Sequence, residues 1–390
     1  MRRLLAAAGT ATLLLLAAAC GGSSPTATRQ APTPAASSSA ATNSATPEPG
    51  AVALRAGERY LRLAMPAAYT PSAPTGHGTD DYRCFLLDPH LHHDAFVTGT
   101  DVLPGNPDVV HHVILFRVPP GEVDAAKAKD AEEPGQGWTC FGGTGLDDGV
   151  GSLDDAPWLG AWAPGGHESV AARDVGTPVQ AGERVIMQVH YNLLKGASPD
   201  VTSVRLRIAP GTAHLTPLRT VLLPAPVELP CRPQHALNPL CDRSAALRYL
   251  ESRVGDMVGQ TANALHLLCG YEPAGPVQHC DHRVEQPETI RAVAGHMHLI
   301  GRSIRITVNP DGPHPRTVLD QPVWDFDNQG AKPVTPVHLE RGDTVRVTCR
   351  HDQHLRDLLP AFRGQRERYV VWGEGTTDEM CLGILLVTRS

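Results

Sequence analysis

Residues 109–118, VVHHVILFRV, place a histidine pair at the start of an apolar, β-branched run that predicts a β-strand. Similar short runs recur along the chain, and many of the 37 glycines and 35 prolines lie between them. These runs are RVIMQVHY, SVRLRIA, TVLL, SIRITV, TVRVTC, RYVVWG and LGILLV. Polar and apolar residues alternate over 203–208 and again over 344–347. Short strands bounded by turn residues predict an all-β protein of antiparallel sandwiches, with a mixed α+β fold as the alternative.

The first 51 residues are not expected to belong to the folded part. Arg2 and Arg3, the apolar stretch 13–16 and the small residues before Cys20 predict a lipoprotein signal peptide over 1–20. Cys20 would carry the lipid after cleavage, although an ordinary secretory signal is the alternative. Residues 21–51 are rich in Ser, Pro and Ala and predict a disordered linker. We therefore expect an exported protein that a lipid anchors to the outer face of the membrane in the cell envelope.

The remaining chain is longer than one hydrophobic core usually serves, so two domains are predicted. We place an N-terminal domain at 52–215 and a C-terminal domain at 216–390, each an antiparallel, jelly-roll-like β-sandwich. Residues 242–268 instead show helical spacing, and Asp242 is a candidate N-cap. We interpret 231–280 as a helical insertion stapled by disulfides. Whether the insertion shapes an active cleft or is a surface ornament stays open.

Charge and cysteine content restrict the class of protein further. The net charge of −7 and the lack of a basic stripe make nucleic acid an unlikely partner. Eight cysteines follow Cys20, and an even number in an exported chain predicts disulfides. They are Cys84, Cys140, Cys231, Cys241, Cys269, Cys280, Cys349 and Cys381. No C-x-x-C occurs, which disfavours a structural zinc cluster, and spacing alone does not give the pairing.

Six potential metal ligands fall in four segments that are predicted to be strands. They are His111, His112, His190, His296, His298 and Met380. Imidazole suits copper, zinc and iron, whereas a thioether favours copper. Three nitrogens in one group, and two nitrogens with one sulfur in another, predict two copper ions per chain.

The geometry of a β-strand shows whether the side chains of each set can bind the same metal ion. Residues two apart share a face of a strand, so His296 and His298 can bind one ion, which Met380 would complete. Three protein ligands leave a coordination position open, which suits oxygen chemistry. His111 and His112 are adjacent and can share an ion only at a strand end or a bulge.

The segments HHVILF, QVHYN, HMHLIGR and DEMCLGILLV occur in an order that resembles the copper type II ascorbate-dependent monooxygenases. This is the family of peptidylglycine α-hydroxylating monooxygenase and dopamine β-monooxygenase, and the resemblance spans 52–390 apart from the insertion. It implies that one copper transfers electrons across a solvent-filled cleft to the copper that activates oxygen. The first set would be His111, His112 and His190, and the second, catalytic set would be His296, His298 and Met380.

The resemblance also implies a reaction and a disulfide. O2 and an external one-electron reductant, ascorbate or another donor, would hydroxylate an activated C–H bond of a small molecule. Cys349–Cys381 is the disulfide that the resemblance suggests. We expect Cys84–Cys140 in the first domain, with the other four cysteines pairing among themselves.

The chain departs from the peptide-amidating members at three substrate-binding positions. Where those members carry an arginine, an asparagine and a tyrosine that hold a carboxylate, this chain has Ala294, Leu382 and Ile384. None of these side chains can bind a carboxylate. A peptide substrate is therefore disfavoured, and a small apolar or aromatic substrate is expected.

Other interpretations of the same residues stay open. A copper-binding or copper-delivery protein of the cell envelope could use both ligand sets without hydroxylating anything. A zinc hydrolase using His296 and His298 is weaker, since zinc rarely recruits methionine and no HExxH occurs. The histidines could also be ordinary strand residues and Met380 a core residue. We expect His351 and His354, in a charged stretch, to be solvated.

Overall fold

The computed structural model describes residues 52–74, 79–146, 153–255 and 257–389, and its main regular structure is antiparallel β-strand. The predicted signal peptide, its Cys20 and the predicted linker lie outside these residues. The twenty described strands are β1 (Arg59–Ala64), β2 (Asp80–Leu87), β3 (Ala95–Leu103), β4 (Val110–Val118), β5 (Trp138–Thr139), β6 (Trp158–Trp162), β7 (Ser169–Val170), β8 (Val175–Val179), β9 (Arg184–Asn192), β10 (Ser203–Pro210), β11 (Thr216–Pro224), β12 (Glu228–Leu229), β13 (Val277–Arg283), β14 (Glu288–His296), β15 (Gly301–Val308), β16 (Arg316–Gln321), β17 (Lys332–Leu339), β18 (Thr344–His351), β19 (Val370–Val371) and β20 (Leu382–Thr388).

Most of the described strands form two sandwiches. A five-stranded sheet packs on one half of a long sheet, and a four-stranded sheet packs on its other half. A five-stranded sheet has the order β5-β2-β9-β4-β6, and a four-stranded sheet has the order β13-β18-β15-β16. The long sheet runs β1-β10-β3-β8-β11-β20-β14-β17, with β7 paired to β3. A short parallel contact between β8 and β11 joins its two halves. The predicted class, all-β with antiparallel sheets, is confirmed.

Each sandwich has its own hydrophobic core, which follows from the two-residue period of a strand. In the first sandwich, Val113 and Leu115 of β4 face the core together with Met187 and Val189 of β9. In the second, Val293 of β14 packs among residues of β15, β18 and β20. The predicted boundary between 215 and 216 falls just before β11. The described residues form one compact unit, so separate folding of two domains stays a prediction.

Helices are few and lie outside the sheets. They are α1 (Val123–Asp130), α2 (Arg243–Val254), α3 (Met257–Leu268) and α4 (Leu355–Leu358), with 3₁₀ turns at Pro120–Glu122, Leu153–Asp155, Pro233–His235, Pro239–Cys241 and Pro360–Phe362. The predicted N-cap is present, because the side chain of Asp242 accepts a hydrogen bond from the Ala245 amide at 2.8 Å. Helices α2 and α3 form the expected insertion and bury Leu250 and Leu265 in the second core. None of the described helices has the length and apolar character needed to cross a membrane.

All eight cysteines that follow Cys20 form disulfides. Cys84–Cys140 and Cys349–Cys381 are the two pairs that we expected. The other four pair as Cys231–Cys241 and Cys269–Cys280. The last two bonds close short loops at the two ends of the helical insertion, whereas Cys349–Cys381 joins β18 to the start of β20.

Replacing both Cys349 and Cys381 by alanine should lower the free energy of unfolding by about 3–4 kcal/mol, because their bond closes a long loop in the unfolded chain. The two cysteines are 32 residues apart, whereas Cys231 and Cys241 are 10 apart. The matched Cys231→Ala/Cys241→Ala variant should lose less, about 2–3 kcal/mol. Denaturant unfolding of the metal-free proteins measures both, and an equal or reversed order would contradict the argument.

Candidate metal centre

The first set of histidines converges because strand β4 contains a bulge. His112 lies directly opposite His190 of β9, but the register shifts between Val110 and His112. His111 is therefore an extra residue at the start of β4, and its side chain does not have to point away from that of His112. The sequence required a strand end or a bulge at this pair, and the structure has both.

The three side chains form one compact group. One ligand atom from each of His111, His112 and His190 lies within 4.8 Å of the others. The ring centroids are 4.6 Å apart for His112 and His190, and 5.1 Å apart for His111 and His190. Among the described residues, no other group of three or more His, Cys, Asp or Glu side chains has this geometry.

Several nitrogens of this group are buried without a hydrogen-bond partner among the described residues. They are both ring nitrogens of His111, Nε2 of His112 and Nδ1 of His190. Burial lowers the pKa of His111 and of His112 well below the ordinary value for histidine, and neighbouring histidines lower both further. Neutral imidazoles with free lone pairs are the form that binds metal ions. The donor set therefore fits copper or zinc.

A carboxylate that the sequence analysis missed orients His190. Nε2 of His190 lies 2.9 Å from Oδ1 of Asp80, and both side chains are almost fully buried. Burial opposes ionisation of Asp80, yet the hydrogen bonds from His190 and Thr376 hold its pKa below the ordinary value. An ionised Asp80 keeps the proton on Nε2 and leaves Nδ1 of His190 free to bind a metal. Tyr82 stacks on the same imidazole, with ring centroids 4.0 Å apart.

The second set lies at the end of strand β14. His296 is the last residue of the strand, and the rings of His296 and His298 have centroids 5.1 Å apart. Nδ1 of His296 donates to Oε1 of Gln329 at 2.6 Å, which leaves Nε2 of His296 for a metal. Both nitrogens of His298 are buried without a partner in the described chain. Burial lowers the pKa of His298 well below the ordinary value.

The residue that precedes Met380 binds the backbone of His298. The buried carboxylate of Glu379 accepts hydrogen bonds from the backbone amides of His298 at 2.9 Å and Ile300 at 2.8 Å. His296 pairs with Leu382 at the end of the β14–β20 ladder, and Met380 lies two residues before Leu382 along the chain. Met380 itself is buried. The backbone thus brings Met380 to the end of β14 that carries the two histidines.

The two sets of histidines adjoin each other. The ring centroids of His112 and His296 are 5.8 Å apart. Phe326 packs between the sets, with its ring centroid 4.3 Å from that of His111 and 6.5 Å from that of His298. The resemblance led us to expect a solvent-filled cleft between the two sites. In this structure packed imidazole and phenyl rings lie there instead, because the loop that follows β16 carries Phe326 over both sets.

One face of the β14–β20 ladder is apolar next to His296. Ala294 pairs with Ile384, and His296 pairs with Leu382, so these four side chains share one face of the ladder. The opposite face is closed by packing, since a side chain at Gly295 would meet Ile304 at 2.8 Å. The three positions where a carboxylate would be held in peptide-amidating enzymes thus carry apolar side chains beside the second histidine set, and Ala294 and Leu382 are buried.

One histidine that we expected to be solvated is buried. His351 ends β18, and its Nε2 lies 3.3 Å from Oε2 of Glu379. The prediction that His351 is solvated is wrong because His351 is still part of strand β18, and the chain leaves the sheet only after this residue. His354, three residues later, is exposed as expected.

Comparisons with known proteins give no assignment. No protein-family profile matches the chain, and no characterised protein is significantly similar to it in sequence. A xanthan lyase from Paenibacillus aligns over 83% of this chain with 10% identity and a TM-score of 0.19. The chain spans only 25% of that lyase. Procruciferin from Brassica napus aligns over 80% of this chain and 76% of its own, with 11% identity and a TM-score of 0.16. Scores this low carry no argument about fold or function.

Asp80→Asn should weaken metal binding by the first histidine set by about 10-fold or more, because the imidazole of His190 loses the carboxylate that fixes its orientation. Competition with a chromophoric copper chelator measures the change. Asp108→Asn is the matched control, since this exposed carboxylate pairs, within the described part of the chain, only with Lys195. Equal affinities for the two variants would show that Asp80 does not support the site.

Glu374 should make the stability of the metal-free protein depend on pH. Burial, with a smaller effect from nearby Asp378, raises the pKa of its carboxyl to about 7. The folded state therefore binds this proton more tightly than the unfolded state does, and stability falls as the pH rises from about 4.5 to about 7. Glu374→Gln removes the effect, so its melting temperature relative to the parent should increase from pH 5 to pH 8. The exposed substitution Glu285→Gln should leave the parent's pH profile unchanged. A Glu374→Gln profile parallel to that of the parent would contradict this interpretation.

Proposed function

We propose that this protein is a copper-dependent monooxygenase that hydroxylates an activated C–H bond of a small apolar or aromatic molecule. The observation that carries the proposal is the pair of adjoining histidine sets, which are buried except for the half-buried His296 and whose ring nitrogens have few partners among the described residues. The resemblance of the four sequence segments to the copper type II ascorbate-dependent monooxygenases supports the choice of metal and reaction.

Each set supplies ligands suited to one copper ion. His111, His112 and His190 would hold the first ion through imidazole nitrogens alone. His296, His298 and the thioether of Met380 would hold the second, and sulfur favours copper over zinc. Copper bound there would supply one-electron chemistry and activation of O2.

The residues around the ligands keep each imidazole in one orientation. Asp80 holds the proton on Nε2 of His190, and Oε1 of Gln329 accepts a hydrogen bond from Nδ1 of His296. Glu379 fixes the backbone of His298 relative to Met380. Burial of His111, His112, His190 and His298 limits the access of water to these imidazoles.

The overall reaction consumes O2, a C–H bond, two electrons and two protons, and yields an alcohol and water. Ascorbate or another one-electron reductant would supply the electrons in two steps. The side chains of Ala294, Ile384 and Leu382 make the surroundings of His296 apolar, which suits an apolar substrate. No carboxylate-binding group lies among these three side chains, in keeping with a substrate other than a peptide.

Four disulfides support an extracellular, oxidising environment. Together with the signal-like N-terminal sequence ending at Cys20, they support the proposal that the protein is exported and lipid-anchored in the cell envelope.

Oxygen uptake by copper-loaded protein tests the proposal. With ascorbate and a panel of aromatic and aliphatic amines and alcohols, the parent should bind two coppers and consume O2 in step with hydroxylated product. Met380→Ala should slow coupled uptake by about 100-fold or more, because losing a ligand removes several kcal/mol of stabilisation. Copper at His111, His112 and His190 should remain.

Met257→Ala, at an exposed methionine, is the control and should behave as the parent. Two bound coppers without coupled product from any compound would contradict the hydroxylase and favour a copper-delivery protein. Fewer than two coppers in the parent would contradict the ligand sets themselves.

A further inference from the structure

The loop that leads to Met380 is hydrogen-bonded to the strands that surround the first histidine set. Residues 373–379 connect β19 to the methionine, and they lie against strands β2 and β9 of the first sandwich. Tyr82 donates its hydroxyl hydrogen to the backbone oxygen of Glu374 at 2.7 Å. Asn192 donates through Nδ2 to Oγ1 of Thr376 at 3.4 Å. Contacts from two different strands therefore hold one short loop.

Asp80 is the centre of this attachment. Its Oδ1 atom accepts a hydrogen bond from the backbone amide of Thr376 at 3.0 Å and another from the Thr376 hydroxyl. The same oxygen lies 2.9 Å from Nε2 of His190. All three residues are almost fully buried, at 5% exposure for Asp80 and 1% for Thr376 and His190. One carboxylate oxygen thus joins an imidazole of the first set to the loop of the second.

Further hydrogen bonds hold the loop residues between Thr376 and Met380. Arg368 donates to the backbone oxygen of Thr377 at 2.9 Å and pairs with the Asp378 carboxylate. The Asp378 side chain in turn accepts from the amide of Gly375 at 3.0 Å. Glu379 then binds the backbone of His298, next to Met380. Each residue between Thr376 and Met380 is therefore held by at least one buried contact.

We infer that Asp80 and Thr376 are positioning residues that couple the two histidine sets, so that the Thr376 hydroxyl helps to hold the Met380 thioether where it binds copper. The inference rests on the proposed function, since it takes Met380 as a ligand. It adds to that proposal a hydrogen-bonded path, His190–Asp80–Thr376, through which the position of a ligand in the first set affects the loop that carries Met380. Buried hydrogen-bonded networks of this kind transmit order because each member has few alternative partners.

Thr376→Val tests the path, because it removes the hydroxyl and keeps the side-chain shape and the backbone amide. The protein is loaded with two Cu(I) ions, and two quantities are measured: the sulfur signal in copper X-ray absorption, and Cu(I) affinity by competition with a chromophoric chelator. We expect a weaker sulfur signal and about 10-fold lower affinity at the second site, with the first site still filled.

Three further variants separate positioning from general destabilisation. Thr377→Val makes the same change one residue later, where the hydroxyl has no hydrogen bond to the described residues, and should match the parent. Thr376→Ser keeps a hydroxyl and should restore the sulfur signal. Thr376→Ala replaces Thr376→Val if the latter does not fold.

The outcomes distinguish the two proposals. A sulfur signal and affinity in Thr376→Val equal to those of Thr377→Val overturn the coupling and leave Met380 as a ligand. The absence of a sulfur signal in the parent overturns the second copper site, and with it both the proposed function and this coupling.

Discussion

Burial of imidazole nitrogens that have few protein partners is the constraint on which the site depends. A buried polar atom left without a hydrogen bond costs about 1–3 kcal/mol, and native proteins carry few of them. Counted over the described residues, His111 and His298 each have two such nitrogens, and His112 and His190 each have one. Histidines placed only for packing would be expected to find hydrogen-bond partners. Metal ions bound by neutral imidazoles would satisfy these atoms together.

The sheets concentrate these residues because their other faces are occupied by cores. In β4 and β9, Val113 and Met187 fill the first core, so His112 and His190 must lie on the opposite face. In β14, Val293 and Gly295 face the second core, which turns His296 the other way. The long shared sheet then brings the two ligand-bearing faces together. The same alternation that builds the sandwiches therefore builds the candidate centre.

Much of this could be predicted from sequence because it follows local rules. Alternating runs indicated the sheets, the even cysteine set indicated disulfides, and the adjacency of His111 and His112 required an interrupted strand. The supporting residues could not be predicted in this way. Asp80 lies 110 residues from His190 and Thr376 lies 296 residues from Asp80, and only the folded register brings them together. Phe326 and Gln329 lie in a loop without periodicity, so nothing in the sequence indicated that they cover the histidines. His351 was misjudged because the charges that follow it describe the next loop and not its own strand.

The most direct test of the account is anomalous diffraction at the copper edge from crystals of the copper-loaded protein. The account predicts two copper peaks per chain. One would lie among His111, His112 and His190, and the other beside His296, His298 and the sulfur of Met380. A single peak shared by both histidine sets, or a second peak away from Met380, would contradict it.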